Sequence, residues 1–182
     1  MNRLALLMLA LTLPCAVAAA DYTVQPAAST LGFSGTFQGE AFQGQFGQWI
    51  AAIAYDPADL PGSHFDVDVS LASVKTGDSD RDSALPGSDF FNVAKFPKAH
   101  FVSTSIHKIG ATVVADGKLT LHGVTKPVSL DVVFKPQGSG ATLDVNGTVK
   151  RLDFGVGSGD YADTSVIGAD VKVTAHLQLA PK

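Results

Sequence analysis

The sequence predicts an all-β fold, an antiparallel meander of about eight short strands with one or two short helices. Three observations predict it. Apolar residues recur with a period of two over most of the chain, as strands with one face on a core and the other in water require. Turn residues punctuate these runs at short intervals. A single internal segment, Gly77 to Phe96, breaks the alternation and carries helix-capping residues instead. A closed barrel and a two-sheet sandwich share this alternation, so periodicity alone leaves closure open.

The elements follow in order. Met1-Asn2-Arg3 and the largely apolar ten-residue run Leu4 to Leu13 give one positive charge followed by an apolar stretch. That run is too short for the ~20 residues that cross a bilayer as a helix. With small residues at Ala18-Ala19-Ala20, residues 1–20 read as a signal peptide, and residues 21–182 form one domain beginning at Asp21. Cys15 follows Pro14, with Thr12 three positions before it, a context that does not suit lipid attachment. The sole cysteine leaves with the signal, so the exported chain is expected to have neither disulfide nor thiol chemistry. Without Arg3, twelve Lys and Arg face seventeen Asp and Glu, a formal charge of −5. No basic run is present to follow a phosphate backbone, which excludes nucleic acid as an expected partner. No second apolar segment approaches spanning length, so stable membrane insertion is not expected.

Leu31, Phe33 and Phe37 share a parity with Gly35 between them and form the first strand. From Phe42 to Tyr55 the parity slips, Phe42 and Phe46 being even and Trp49, Ala51, Ile53 and Tyr55 odd, which predicts a β-bulge and a bend near Gly47-Gln48. Phe65, Val67, Val69 and Leu71 alternate with polar residues, as do Leu119 and Leu121, then Val128, Leu130, Val132 and Phe134, then Leu143, Val145 and Val149. The final strand runs through Val171, Val173, Ala175, Leu177 and Leu179. Turns are expected at Gln38-Gly39, Asp56-Pro57, Pro61-Gly62, Asp116-Gly117 and Gln137-Gly138; Asn146-Gly147 reads either as a turn or as an irregularity within a strand. Gly77 to Phe96 supplies one or two short helices, with Asp78 and Ser88 as caps and Pro86 and Pro97 as breakers. Its Phe90, Phe91 and Phe96 are too apolar for an exposed loop, which places the segment across an opening of the fold. Gly155 to Gly168, rich in Gly, Ser and Asp, is expected to be a mobile loop.

Catalytic chemistry is not in evidence. No Gly-x-Ser-x-Gly elbow occurs, and no nucleophile is matched with a base. Histidines at 64, 100, 107, 122 and 176 show neither His-x-His nor His-x-x-x-His spacing, so no metal site is expected, and His122 reads as a surface or rim residue. Asp78, Asp80 and Asp82 lack the glycine and distal glutamate of a calcium loop and read as a solvated helix start. Gly155-Val156-Gly157-Ser158-Gly159 lacks the strand, lysine and helix of a phosphate cradle. No cofactor is expected.

Arg81-Asp82, Asp89-Phe90-Phe91-Asn92-Val93-Ala94-Lys95-Phe96-Pro97, and Gly117-Lys118-Leu119-Thr120-Leu121-His122-Gly123-Val124-Thr125-Lys126-Pro127-Val128 together resemble the YceI-like family of bacterial periplasmic lipid-binding proteins. The likeness extends through Gly44-Gln45-Phe46, Tyr55-Asp56-Pro57 and Val149-Lys150-Arg151-Leu152-Asp153-Phe154-Gly155, over nearly all of residues 21–182. The resemblance implies a closed, lipocalin-like barrel in the periplasm that carries or sequesters a polyisoprenoid or quinone-type lipid without catalysis. Where the family commonly has two histidines this chain has Ala28 and Ala84, so any head-group contact through those residues is not carried over.

An eight-stranded barrel either fills itself with side chains or holds one small ligand. Gly35, Gly44, Ala51, Gly147 and Ala175 would leave room beside large inward residues, or would relieve crowding at bent strands; the family resemblance favours a cavity. The expected lipid-binding residues are Phe33, Phe37, Phe46, Trp49, Phe65, Phe90, Phe91, Phe101, Leu119 and Val132. Arg81 and Asp82 are expected at the mouth, as a buried pair or with Arg81 facing a polar head group. The alternative role is an envelope stress-response or interaction protein with a packed interior and no lipid. Oligomeric state, a homodimer included, is left open.

Overall fold

The computed structural model describes residues 20–182; the expected signal peptide, apart from Ala20, lies outside the described residues. Among these residues eleven antiparallel strands form one sheet: β1 (Ala20–Val24), β2 (Thr30–Phe37), β3 (Glu40–Phe46), β4 (Trp49–Tyr55), β5 (His64–Ser70), β6 (Val74–Lys75), β7 (Lys98–Ile109), β8 (Thr112–Leu121), β9 (Val124–Gln137), β10 (Gly140–Lys150) and β11 (Asp170–Pro181). Their hydrogen-bonded order is β1-β4-β5-β7-β8-β9-β10-β11-β2-β3-β6, and β1 also pairs with β11, which closes the sheet. β1 and β2 lie in succession along β11, with Tyr22 opposite Pro181 and Ser34 opposite Lys172, so they act as one bent stave. β4 and β3 face them in the same succession, and β5 and β6 face β4 and β3. The barrel therefore has eight staves, the first three broken near mid-height.

These breaks explain the parity slip. Gly47 and Gln48 are not a bulge within a paired strand, because β3 and β4 do not pair with each other; they are the point at which one stave bends and restarts. A bulge does occur in β7, where the register with β8 shifts between Ser103 and Ser105. Asp116-Gly117 is likewise no turn: it lies inside β8, opposite that bulge, with Gly117 beneath the Phe101 ring. A methyl group there would run into the ring and the Val102 carbonyl oxygen. Gly117→Ala is therefore expected to cost ~1–3 kcal/mol, read as a lower urea midpoint; an unchanged midpoint would show that the ring has room to move. Asn146-Gly147 is strand interior within β10, where Gly147 accommodates Leu130. β1 was not signalled by alternation, since Tyr22 and Val24 alone are too short a pattern.

At one end, here the upper, lie the Gln38-Gly39 turn, residues 76–97, the His122-Gly123 turn and residues 151–169. The other end carries residues 56–63 and the turns near Gly110 and Gly138. The Gly77 to Phe96 segment holds one helix, α1 (Ser79–Ala84), and then turns; Asp78 caps α1 by accepting from the Arg81 N–H at 2.9 Å, whereas Ser88 caps no helix. Two clusters fill the ends. The lower centres on Tyr55, Leu60, Ile106, Leu143 and Leu179, and the upper on Leu71, Leu85, Phe91, Phe154 and Val156, which fastens the α1 segment onto the barrel.

A candidate ligand cavity and its mouth

Between the two clusters the inward side chains do not meet. They enclose a cavity of about 250 Å³ whose wall, apart from Thr36, His100 and Arg151, is entirely apolar. Strand alternation turns Val67, Leu119, Leu130, Val145, Val173 and Ala175 inward, yet each is only half-buried. The surface they leave uncovered faces this void.

Eight of the ten expected apolar residues line the cavity: Phe33, Phe46, Trp49, Phe65, Phe90, Phe91, Phe101 and Leu119. Phe37 and Val132 do not. Phe37 lies at the very top of β2, bridged to Ile167 and 41% exposed, beyond the end of the wall. Val132 points inward but below the floor, where it is packed to 3% exposure in the lower cluster. The small residues divide as well. Gly35, Ala51 and Ala175 border the void, whereas the space over Gly44 and Gly147 is taken by Phe33 and Leu130. Both open readings of these residues therefore apply, each to a different subset.

The upper rim is built by Gly35, Thr36, Phe42, Phe90, Ile167 and Gly168. Arg81 and Asp82 lie beside it but form no pair with each other. The Arg81 guanidinium sits 4.3 Å over the Phe42 ring. Asp82 accepts from the Thr76 N–H at 2.6 Å and the Thr76 hydroxyl at 2.8 Å, with Lys75 at 3.9 Å. The Thr76 hydroxyl, foremost, holds the Asp82 carboxyl below the usual carboxylate range.

The residue that sequence reasoning missed is Arg151. Its side chain is buried, and all five of its donors go to backbone carbonyls: Nε to Gly168 at 3.0 Å, Nη1 to Val156 at 3.0 Å and to Gly157, Nη2 to Tyr161 and Ile167 at 2.8 Å each. The segment from Gly155 to Gly168 is therefore not a mobile loop; its glycines let the backbone wrap around one guanidinium. Burial pushes Arg151 below its ordinary pKa, and among the described residues no carboxylate pairs with it. The available signal was an arginine directly before a glycine-rich segment, a pattern that also fits a surface residue. His122, at φ +52° in the β8–β9 turn, donates from Nδ1 to the Phe154 carbonyl at 3.1 Å, which joins this segment to the rim. Among the described residues no group of three or more His, Cys, Asp or Glu could hold a metal, and no helix is long and apolar enough to cross a membrane.

Comparison with known proteins agrees with this architecture. The model of the YceI-like domain matches residues 22–179. A UPF0312 protein of Pseudomonas syringae pv. tomato is 34% identical over 157 residues, covering 80% of this chain and 82% of the relative. Among solved structures, BcnA of Burkholderia cenocepacia superposes with a TM-score of 0.82 at 29% identity, over 87% of this chain and 99% of that one. A polyisoprenoid binding domain from Saccharophagus degradans, implicated in plant cell wall breakdown, shares the fold with a TM-score of 0.66 at 17% identity, over 90% and 99% of the two chains.

Proposed function

Because the chain belongs to the YceI-like family, we propose that it binds a polyisoprenoid or quinone-type lipid in the barrel cavity, and that it carries or sequesters this lipid in the periplasm. The family and the polyisoprenoid-binding neighbour point to a binding protein rather than an enzyme. One observation carries the reading: an apolar cavity of about 250 Å³ bordered by inward residues that remain half-buried. At roughly 24 cal/mol per Å³ of void, leaving it unfilled forgoes about 6 kcal/mol of packing. That is comparable with the whole stability of many domains, ~5–15 kcal/mol. Water gains little there, since it needs two to four polar partners and the wall offers almost none. A hydrocarbon chain recovers the loss at ~0.8 kcal/mol for each CH2 removed from water. The alternative role assumed a packed interior, and a cavity bordered by half-buried residues counts against it.

Location in the periplasm rests on the signal-like residues 1–20, and the Phe90-Phe91 segment supplies part of the entrance. Organic extraction of protein purified from its native envelope, followed by mass spectrometry, is expected to release an isoprenoid lipid. Repeated recovery of empty protein that also fails to take up geranylgeraniol or ubiquinone overturns the proposal.

A further inference from the structure

The barrel wall is parted between its first and second staves. The pairing of β1 with β4 ends at Tyr22 and Ile53, and that of β2 with β3 begins only at Gly32 and Gln45. In between, the first stave makes the 3-10 turn Pro26–Ala28 and stays fastened to β11: the Gln25 N–H donates to the Gln178 carbonyl at 2.8 Å, and the Gln178 N–H donates to Ser29 Oγ at 2.9 Å. The facing stretch is fastened to its opposite neighbour. Gly47 and Gln48 N–H donate to the Ser73 carbonyl at 3.1 Å and Ser73 Oγ at 3.0 Å, and residues 49–54 pair with β5. Each border is thus held from outside, and no strand pairing crosses the gap.

A groove of about 410 Å³ opens at this seam, bordered by Pro26, Ser29 and Thr30 on one side and Gln45, Gln48 and Ile50 on the other. Leu31, Phe46 and Trp49 line both this groove and the central cavity, so they stand between the two. The groove lining contains no charged residue. Thr30, Gln45 and Gln48 are exposed along the groove and Trp49 is half-buried.

A lipid with a polar end must satisfy that end, because a buried hydroxyl or carbonyl without a partner is strongly unfavourable. The cavity wall offers little: the Arg151 donors are all engaged and His100 is bonded to Asp66 at 2.9 Å, which leaves the Thr36 hydroxyl at the upper rim. We propose that the seam is a lateral opening through which the uncharged polar end of a long-chain isoprenol or quinone enters the groove. There it bonds to Gln45, Gln48 and the Trp49 N–H while the chain lies in the cavity. With no cation in the groove, an isoprenyl phosphate is disfavoured at this site. The inference rests on the lipid-binding reading above.

Trp49 is the only tryptophan of the chain, so its fluorescence reports on the seam directly. The test uses geranylgeraniol carrying a nitroxide either on the polar end or on the terminal isoprene unit, with binding checked independently by co-elution and mass spectrometry. The polar-end label is expected to quench Trp49 more strongly than the tail label. Gln45→Leu with Gln48→Leu should weaken geranylgeraniol about five-fold while leaving its hydrocarbon analogue and the unfolding midpoint unchanged. If both labels bind but the tail label quenches equally or more, or if alcohol and hydrocarbon lose affinity alike, the seam is not the polar-end site and lipid carriage stands. If neither label binds, carriage and seam fail together.

Discussion

Arg151→Met is expected to release the whole segment from Gly155 to Gly168 and to cost about 3–5 kcal/mol of stability, the largest effect of any single substitution outside the central core. The methionine conserves the apolar stem and removes every donor. Five carbonyls that now point at one guanidinium would lose their partner, and those that stay buried would each forfeit ~1–3 kcal/mol unless the segment opens to water. Opening limits the loss but undoes the rim, since Val156 packs in the upper cluster and Ile167 and Gly168 line the cavity. For a chain of this length the melting temperature should fall by roughly 10 °C, and limited proteolysis should cut between residues 155 and 168. Arg151→Lys should fall between the two, because its ammonium offers three donors and no planar fork. An Arg151→Met protein that melts normally and resists proteolysis would show that the segment is held by its own packing.

Ala175→Phe is expected to move binding and stability in opposite directions. Ala175 stands opposite Val145 and Leu31 in the wall and is half-buried because its methyl faces the void. A phenyl ring there would occupy space that the proposed ligand needs. Displacing one isoprene unit, about five carbons at ~0.8 kcal/mol each, corresponds to ~4 kcal/mol, or a loss of up to about a thousand-fold in affinity. The same ring removes part of a void, so the unfolding midpoint should hold or rise. A filled interior behaves otherwise: inserting a ring would then cost ~1–3 kcal/mol by overpacking. Parallel titration with geranylgeraniol and urea denaturation decides between them, and a destabilised protein with unchanged uptake would sink the cavity assignment.

Strand alternation identified the inward rows well. Phe33, Phe46, Phe65, Phe101 and Leu119 line the cavity because the side of a strand follows directly from parity. Height along the barrel does not follow from parity. Val132 shares its face with Leu130 but sits one pleat below the floor, and Phe37 shares its face with Phe33 but stands above the rim. Glycine was harder still: Gly117 beside Asp116 looks like a turn, and only the Phe101 ring lying over it explains why a strand interior lacks a side chain.

From residue order alone came much that is local: the all-β class, the count of about eight strands, a short helix capped by Asp78 within Gly77 to Phe96, and the apolar character of the inward rows. These follow because pleat, turn and cap preferences act between residues close in sequence. Tertiary structure alone decided that the interior is hollow, that the first and second staves part at a seam, and that Arg151 gathers carbonyls up to seventeen positions away. Each depends on how distant segments share one volume, and neither alternation nor composition measures volume.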